Sequence, residues 1–76
     1  MRQSNYSDRL RLMLNNLGCS QRQLAATTGM TESAICHYLQ GTREPHANQL
    51  IKIADKTHVS PAWILGYGPD EPMQKV

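Results

Sequence analysis

Five residues between positions 31 and 37 carry side chains that can form hydrogen bonds at short reach. They are Thr31, Glu32, Ser33, Cys36 and His37. On a helix, successive side chains rotate by about 100°, which places the four from position 32 onward within an arc of about 140°. This arc contains no Lys or Arg, although long charged side chains are usual on exposed helix faces. Short side chains that donate and accept hydrogen bonds are suited to contacts with base edges.

Other interpretations of this arc are a plain solvent-exposed helix face and, at Cys36 and His37, a nucleophile or zinc site. Adjacent helical residues diverge by about 100°, and the sequence places no third group beside this pair. Cys19 and Cys36 are the only two cysteines and form no CxxC motif. The chain also has no HExxH motif or glycine-rich phosphate loop. We therefore expect no enzyme activity, no metal, no cofactor and no small-molecule substrate.

The elements that would position the arc are two helices joined by a tight turn, over residues 20–41. Ser20 is a favourable N-cap for the first helix. Gly29 stands where that helix must end, because glycine adopts the left-handed C-cap conformation without steric cost. Thr31 then caps a second helix from Glu32 to Gln40. This pattern predicts a helix-turn-helix and therefore binding to duplex DNA.

Three further helices are predicted around this pair. The first starts at Asn5 or Asp8, capped by Ser4 or Ser7, and ends at Leu17, before Gly18. Leu12 is expected on its exposed side, opposite an apolar stripe that faces the core. The members of that stripe are Tyr6, Leu10, Met13, Leu14 and Leu17.

The remaining two helices follow the helix-turn-helix. The fourth runs from His46 or Ala47 to Thr57, and a short fifth helix covers residues 62–66, after Ser60 and Pro61. The fold class expected is therefore all-α, a five-helix bundle with a central helix-turn-helix. Residues 1–67 form the DNA-binding domain, and residues 68–76 read as a linker-like tail because of their Gly, Pro and mixed charge.

Length and charge agree with a small intracellular DNA-binding domain. The chain has 76 residues and a net charge of +2. Residues 1–43 carry five Arg and two acids, net +3, whereas residues 44–76 carry three Lys and four acids, net −1. The basic half is therefore the half that holds the motif. The polar N-terminus and the lack of a long apolar run predict no signal peptide, no membrane partner and a cytoplasmic location.

The sequence resembles the Cro and phage-repressor helix-turn-helix family, often called XRE. The resemblance covers about residues 7–67 and includes the segments YLQGTREP and VSPAWILG. The matching positions are Gln21, Leu24, Ala25, Gly29, Met30, Ile35, Tyr38, Gly41, Arg43, Glu44, Pro45, Leu50, Ala54, Val59, Ser60, Trp63 and Leu65.

This resemblance implies a lambda-repressor-like domain that binds a palindromic operator as a homodimer. Base edges would be contacted by Thr31, Glu32, Ser33, Cys36 and His37. The DNA backbone would be contacted by Ser20, Gln21, Arg22, Gln40, Thr42 and Arg43. Independently of the resemblance, Trp63 and its neighbours offer an aromatic anchor for a symmetric dimer at the fifth helix, with packing inside the monomer core as the alternative.

Two departures from the family pattern concern named positions. Glu32 stands where many relatives have Gln, and its carboxylate either accepts from cytosine N4 or braces Gln21. Leu14 and Leu39 stand where many relatives pair an Arg with a Glu, and we expect these two leucines to pack together.

The sequence supports two hypotheses about the function of the whole chain. The first is a sequence-specific transcriptional regulator of phage or prophage type, either a small Cro-like protein or the N-terminal domain of a longer repressor. The alternative is an antitoxin-like or regulator-binding module whose main partner is a protein.

Overall fold

The computed structural model describes residues 6–67, and these form five helices. In chain order the helices are α1 (Tyr6–Leu17), α2 (Gln21–Thr28), α3 (Glu32–Gln40), α4 (Ala47–Thr57) and α5 (Pro61–Ile64). The all-α, five-helix prediction with a central helix-turn-helix is confirmed. The proposed cap at Ser4, the alternative start at Asn5 and the linker-like tail lie outside the described residues.

The turn between α2 and α3 forms as its residue types predict. Ser20 caps α2 through a reciprocal pair, in which its hydroxyl accepts from the Gln23 N–H and its own N–H donates to the Gln23 side chain. Gly29 ends α2 in the left-handed conformation, with φ at 75°. The Thr31 hydroxyl then accepts from the Ala34 N–H at 3.1 Å. Each cap is satisfied within three residues of sequence, so this part of the fold is determined locally.

Gly41 ends α3 in a left-handed conformation and lies close to α1. Its φ is 80°, a left-handed value that favours glycine. A Cβ atom at this position would also lie 3.4 Å from the Ser7 hydroxyl oxygen on α1. The loop after α3 therefore lies close against the first turn of α1.

The core contains apolar side chains from all five helices and from Val59. α1 packs against α3 and α5, while α2 packs against α3 and α4. The buried apolar residues are Tyr6, Leu10, Met13, Leu14, Leu24, Ala25, Ile35, Tyr38, Leu50, Ile53, Ala54, Val59, Trp63 and Ile64. The helix-turn-helix pair therefore rests on a scaffold made by the other three helices.

The predicted orientation of α1 is confirmed for Tyr6, Leu10, Met13 and Leu14, which are buried, and is wrong for two leucines. Leu17, expected in the core, is 40% exposed, because it lies in the last turn, just before Gly18 turns the chain away at φ 65°. Leu12, expected on the exposed side, is half-buried and packs against the core. α1 is covered by both α3 and α5, so its buried face is wider than a single apolar stripe.

Arg9, one of the five arginines of the basic N-terminal half, lies in the core. Its side chain is 5% exposed. The Arg9 Nη1 donates to the Trp63 carbonyl oxygen at 3.0 Å, and its guanidinium carbon lies 4.7 Å from the centre of the Trp63 ring. A guanidinium stacked on an aromatic face is stabilised by cation–π attraction. Arg9 therefore joins α1 to α5 and is not available to a ligand.

Ionisation of the Tyr6 phenol makes the stability of the fold depend on pH in the alkaline range. Burial raises the pKa of its phenol above the ordinary tyrosine value of about 10, and repulsion from Glu44 raises it further. The neutral phenol is therefore favoured in the folded state, and its contribution is present below about pH 10 and lost as pH rises above that value. We expect the urea midpoint of the protein to fall more steeply between about pH 9 and 11 than that of Tyr6→Phe. Equal slopes for the two proteins would contradict this account.

Candidate nucleic-acid interface

The eleven residues that the sequence assigned to DNA contacts are accessible on the described surface. Eight are exposed and three, Gln21, Cys36 and His37, are half-buried. The exposed members are Ser20, Arg22, Thr31, Glu32, Ser33, Gln40, Thr42 and Arg43. The polar arc of α3 thus faces away from the core, as its spacing predicts.

An ion pair joins the starts of the two central helices. The Arg22 Nε, in the first turn of α2, lies 3.7 Å from a carboxylate oxygen of Glu32, the first residue of α3. The two side chains are 83% and 50% exposed, so the pair adds little stability. It does place a cation and an anion side by side where the two helix N-termini meet. The predicted bracing partner of Glu32 was Gln21, and the structure places Arg22 in that position instead.

The same two helix starts present backbone donors. The first four N–H groups of a helix have no partner within the helix. Ser20 satisfies the N–H of Gln23 in α2, and Thr31 satisfies that of Ala34 in α3. The preceding N–H groups in each first turn point out of the helix, where an anionic oxygen could accept from them.

A second polar contact lies at the end of α3. The His37 Nδ1 is 2.9 Å from the Thr42 hydroxyl oxygen in the following loop. The Thr42 N–H also donates to the His37 carbonyl oxygen at 3.1 Å. His37 is therefore held by the loop after the helix, while the residues of the first turn remain exposed.

Leu14 and Leu39 lie on the same side of this surface, and their predicted packing against each other stays a prediction. Both line an open cleft of about 490 Å³, together with Arg11, Asn15, Gly18, Cys19, Ser20 and Gln21. Leu14 belongs to the core, and Leu39 packs against that core while half-buried. With leucine at both positions, the chain buries no charge at this side of the core.

Arg11 is a candidate that sequence reasoning missed. It is exposed and lines the same cleft as Ser20 and Gln21. The net charge of the N-terminal half does not show which arginines reach the surface, because the direction in which α1 presents each arginine depends on how α1 packs. Arg9 points into the core and Arg11 points to the cleft, although they are two residues apart.

Comparison with known protein families identifies the fold unit. A family profile described as helix-turn-helix matches residues 10–64, which is most of the chain. The chain belongs to the helix-turn-helix family. No curated protein matches the chain.

Solved structures with the same fold cover nearly all of this helix-turn-helix domain. The DNA-binding domain of the P22 C2 repressor aligns with a TM-score of 0.79 at 20% identity, over 92% of this chain and 97% of that one. The restriction-modification controller protein C.AhdI from Aeromonas hydrophila aligns with a TM-score of 0.75 at 25% identity, over 79% and 91%. A transcriptional regulator from Listeria innocua aligns with a TM-score of 0.76 at 22% identity, over 90% and 64%. These likenesses establish the shared fold.

Trp63 lies inside the helix-turn-helix domain. It is 3% exposed and is covered on one face by Arg9. This placement matches the alternative that it packs in the monomer core and corrects its proposed role as a direct dimer anchor, because a buried ring cannot reach a second copy. Its neighbours Leu65 and Tyr67 are 45% and 69% exposed.

The two chemical alternatives for Cys36 and His37, a zinc site and a nucleophile, gain no support from the arrangement of side chains in residues 6–67. No three His, Cys, Asp or Glu side chains in this range come together as metal ligands. Both cysteines are half-buried free thiols. In the same range, no helix is long and apolar enough to cross a membrane.

Proposed function

We propose that this protein is a sequence-specific transcriptional regulator that binds duplex DNA and has no enzyme activity. The observation that carries the proposal is the contact between Arg22 and Glu32, which shows that the start of α2 lies beside the polar, exposed face of α3 in a member of the helix-turn-helix family. The likeness to a repressor's DNA-binding domain and to a transcriptional regulator supports the same conclusion. Such a protein would act in the cytoplasm of a bacterial or phage-infected cell.

In this proposal α3 lies in the major groove and α2 crosses the DNA backbone. The base-contacting residues are Thr31, Glu32, Ser33, Cys36 and His37. The backbone-contacting residues are Ser20, Gln21, Arg22, Gln40, Thr42 and Arg43, and we add Arg11 because it lines the cleft beside Ser20. Arginine side chains and the N–H groups at helix starts are common donors to phosphate oxygens.

The ion pair with Arg22 explains how the Glu32 carboxylate can lie on a surface that approaches DNA phosphates. An unpaired Glu32 would be repelled by the DNA backbone. With Arg22 at 3.7 Å, the two charges offset each other, and the carboxylate oxygens keep acceptor positions for a donor such as cytosine N4. Because a guanidinium has five N–H donors, Arg22 can also donate to a phosphate while it stays beside Glu32.

His37 is expected to read one base pair in each half-site. Replacing His37 with Ala should relax the preference at a single operator position and cost about 1–3 kcal/mol of discrimination, while nonspecific affinity changes little. His46→Ala, at the start of α4 and outside the proposed interface, is the matched control. Both variants are measured by competition binding on a panel of single-base operator variants. An equal loss for every sequence would instead make His37 a backbone contact.

The proposed quaternary structure is a homodimer on a palindromic operator. Leu65 and Tyr67, at the end of α5, offer an exposed apolar surface, while Trp63 supports it from inside. We expect sedimentation to show a concentration-dependent dimer, stabilised by operator DNA and weakened by Tyr67→Lys. Leu17→Lys, at an exposed leucine on α1, is the control. A monomer both free and on DNA would contradict the dimer.

The experiment that tests the function as a whole is selection from a random duplex library at moderate salt. We expect enrichment of an inverted repeat whose half-sites are about one helical turn apart, roughly 34–36 Å. Binding to duplexes without any enriched sequence would contradict sequence-specific reading. No competitor-resistant binding would favour the protein-interaction module instead.

A further inference from the structure

A cation and an anion lie side by side where α2 and α3 begin, on the surface proposed to face DNA. The Arg22 Nε is 3.7 Å from a carboxylate oxygen of Glu32. Ser20 caps the helical turn that carries Arg22, and Thr31 caps the turn that carries Glu32. The two capped helix starts therefore present a hydrogen-bond donor group and an acceptor group as neighbours.

This ion pair contributes little to the stability of the fold. The Arg22 and Glu32 side chains are 83% and 50% exposed, and exposed pairs of this kind are weak. A carboxylate is also repelled by the phosphates of a DNA duplex. Arg22 offsets that repulsion, and a donor on a base edge would give Glu32 a favourable contact.

Ionisation separates the hydrogen-bonding roles of the two side chains. A carboxylate only accepts hydrogen bonds, whereas a guanidinium only donates them and has five N–H groups. The contact with Glu32 is made at Nε, so the two terminal amino groups of Arg22 extend beyond it. The pair therefore combines an acceptor with several donors.

The major-groove edge of a C·G base pair has the complementary order of groups. Cytosine N4 is a donor, and guanine O6 and N7 follow it as two acceptors. In an A·T pair the adenine N6 donor lies between two acceptors, adenine N7 and thymine O4. A carboxylate at N6 would therefore face an acceptor on either side, whereas cytosine N4 has an acceptor on one side only.

We propose that Glu32 and Arg22 together recognise one C·G base pair in each half-site. Glu32 accepts from cytosine N4, and the terminal amino groups of Arg22 donate to guanine O6 and N7. This inference rests on the proposed function, and it adds a base contact to the phosphate contact given there for Arg22. Specificity at this position then belongs to the pair and not to either residue alone.

Competition binding on single-base variants of the selected operator tests this assignment. We expect wild-type protein to prefer C·G at one position of each half-site. Glu32→Gln should move the preference at that position to A·T, because an amide pairs with adenine N6 and N7. Arg22→Met, which removes the donors, should lower discrimination for C·G there by roughly five- to hundredfold. Arg11→Met, at an exposed cation of α1, is the control and should leave that discrimination unchanged.

The double variant shows whether the two side chains act as one reader. Arg22→Met should leave the A·T preference of Glu32→Gln unchanged, because no guanine is then read at that position. A lowered A·T preference in the double variant would overturn recognition by the pair. So would an Arg22→Met variant that weakens all sequences equally, or a Glu32→Gln variant with the wild-type preference. Absence of any duplex binding would instead overturn the proposed function itself.

Discussion

Replacing Trp63 with Ala is expected to lower the free energy of unfolding by about 3–5 kcal/mol. The indole is 3% exposed and stacks against the Arg9 guanidinium, so its removal leaves a cavity between α1 and α5. A domain of 76 residues has a total stability of only about 4–11 kcal/mol at typical values per residue. The variant should therefore be close to unfolding at room temperature.

Urea denaturation followed by far-UV circular dichroism measures this effect. Tyr67→Ala is the matched control, because Tyr67 is an aromatic residue of the same segment but is 69% exposed, and it should change stability by about 0.5 kcal/mol or less. Trp63→Phe keeps a ring in the core and should lose less, which preserves the test if the Ala variant does not fold. If Trp63→Ala left stability unchanged but abolished self-association, Trp63 would be an interface residue after all.

The affinity for duplex DNA is expected to fall by about 10³–10⁵ between 50 and 200 mM salt, if the dimer makes roughly 6–10 phosphate contacts. Each phosphate neutralised releases condensed counterions, and this release becomes less favourable as salt rises. The cations expected to contribute are Arg11, Arg22 and Arg43, all exposed, whereas Arg9 is excluded by its burial. This is the largest effect predicted for binding.

Single substitutions measure how much each arginine contributes to this salt dependence. Arg43→Ala should weaken binding to all sequences similarly and reduce the slope of log K against log salt by about one per protomer. Lys52→Ala, at an exposed cation on α4, should leave the slope unchanged. Affinity that stays constant from low to physiological salt would contradict the assignment of this surface to phosphate binding.

The helix caps and the turn that carry the candidate site were predicted correctly, because they depend on local chemistry. The caps at Ser20 and Thr31, the left-handed turn at Gly29 and the outward arc of α3 all involve residues within a few positions of one another. Residue type and helical geometry are sufficient for such features, because their hydrogen bonds close inside one or two turns. The pairing of Glu32 with Arg22 is different, since it depends on how α2 and α3 cross.

The sequence by itself therefore determined the helix-turn-helix and its outward polar face, whereas the packing of α1 decided the role of the residues around it. Arg9 and Arg11 have the same side chain, yet one lies against Trp63 and the other lines the cleft beside Ser20. Leu17 follows the apolar stripe but lies beyond the helices that cover α1. These outcomes depend on contacts between residues up to 58 positions apart. Periodicity within one helix cannot say which neighbour will cover each of its faces.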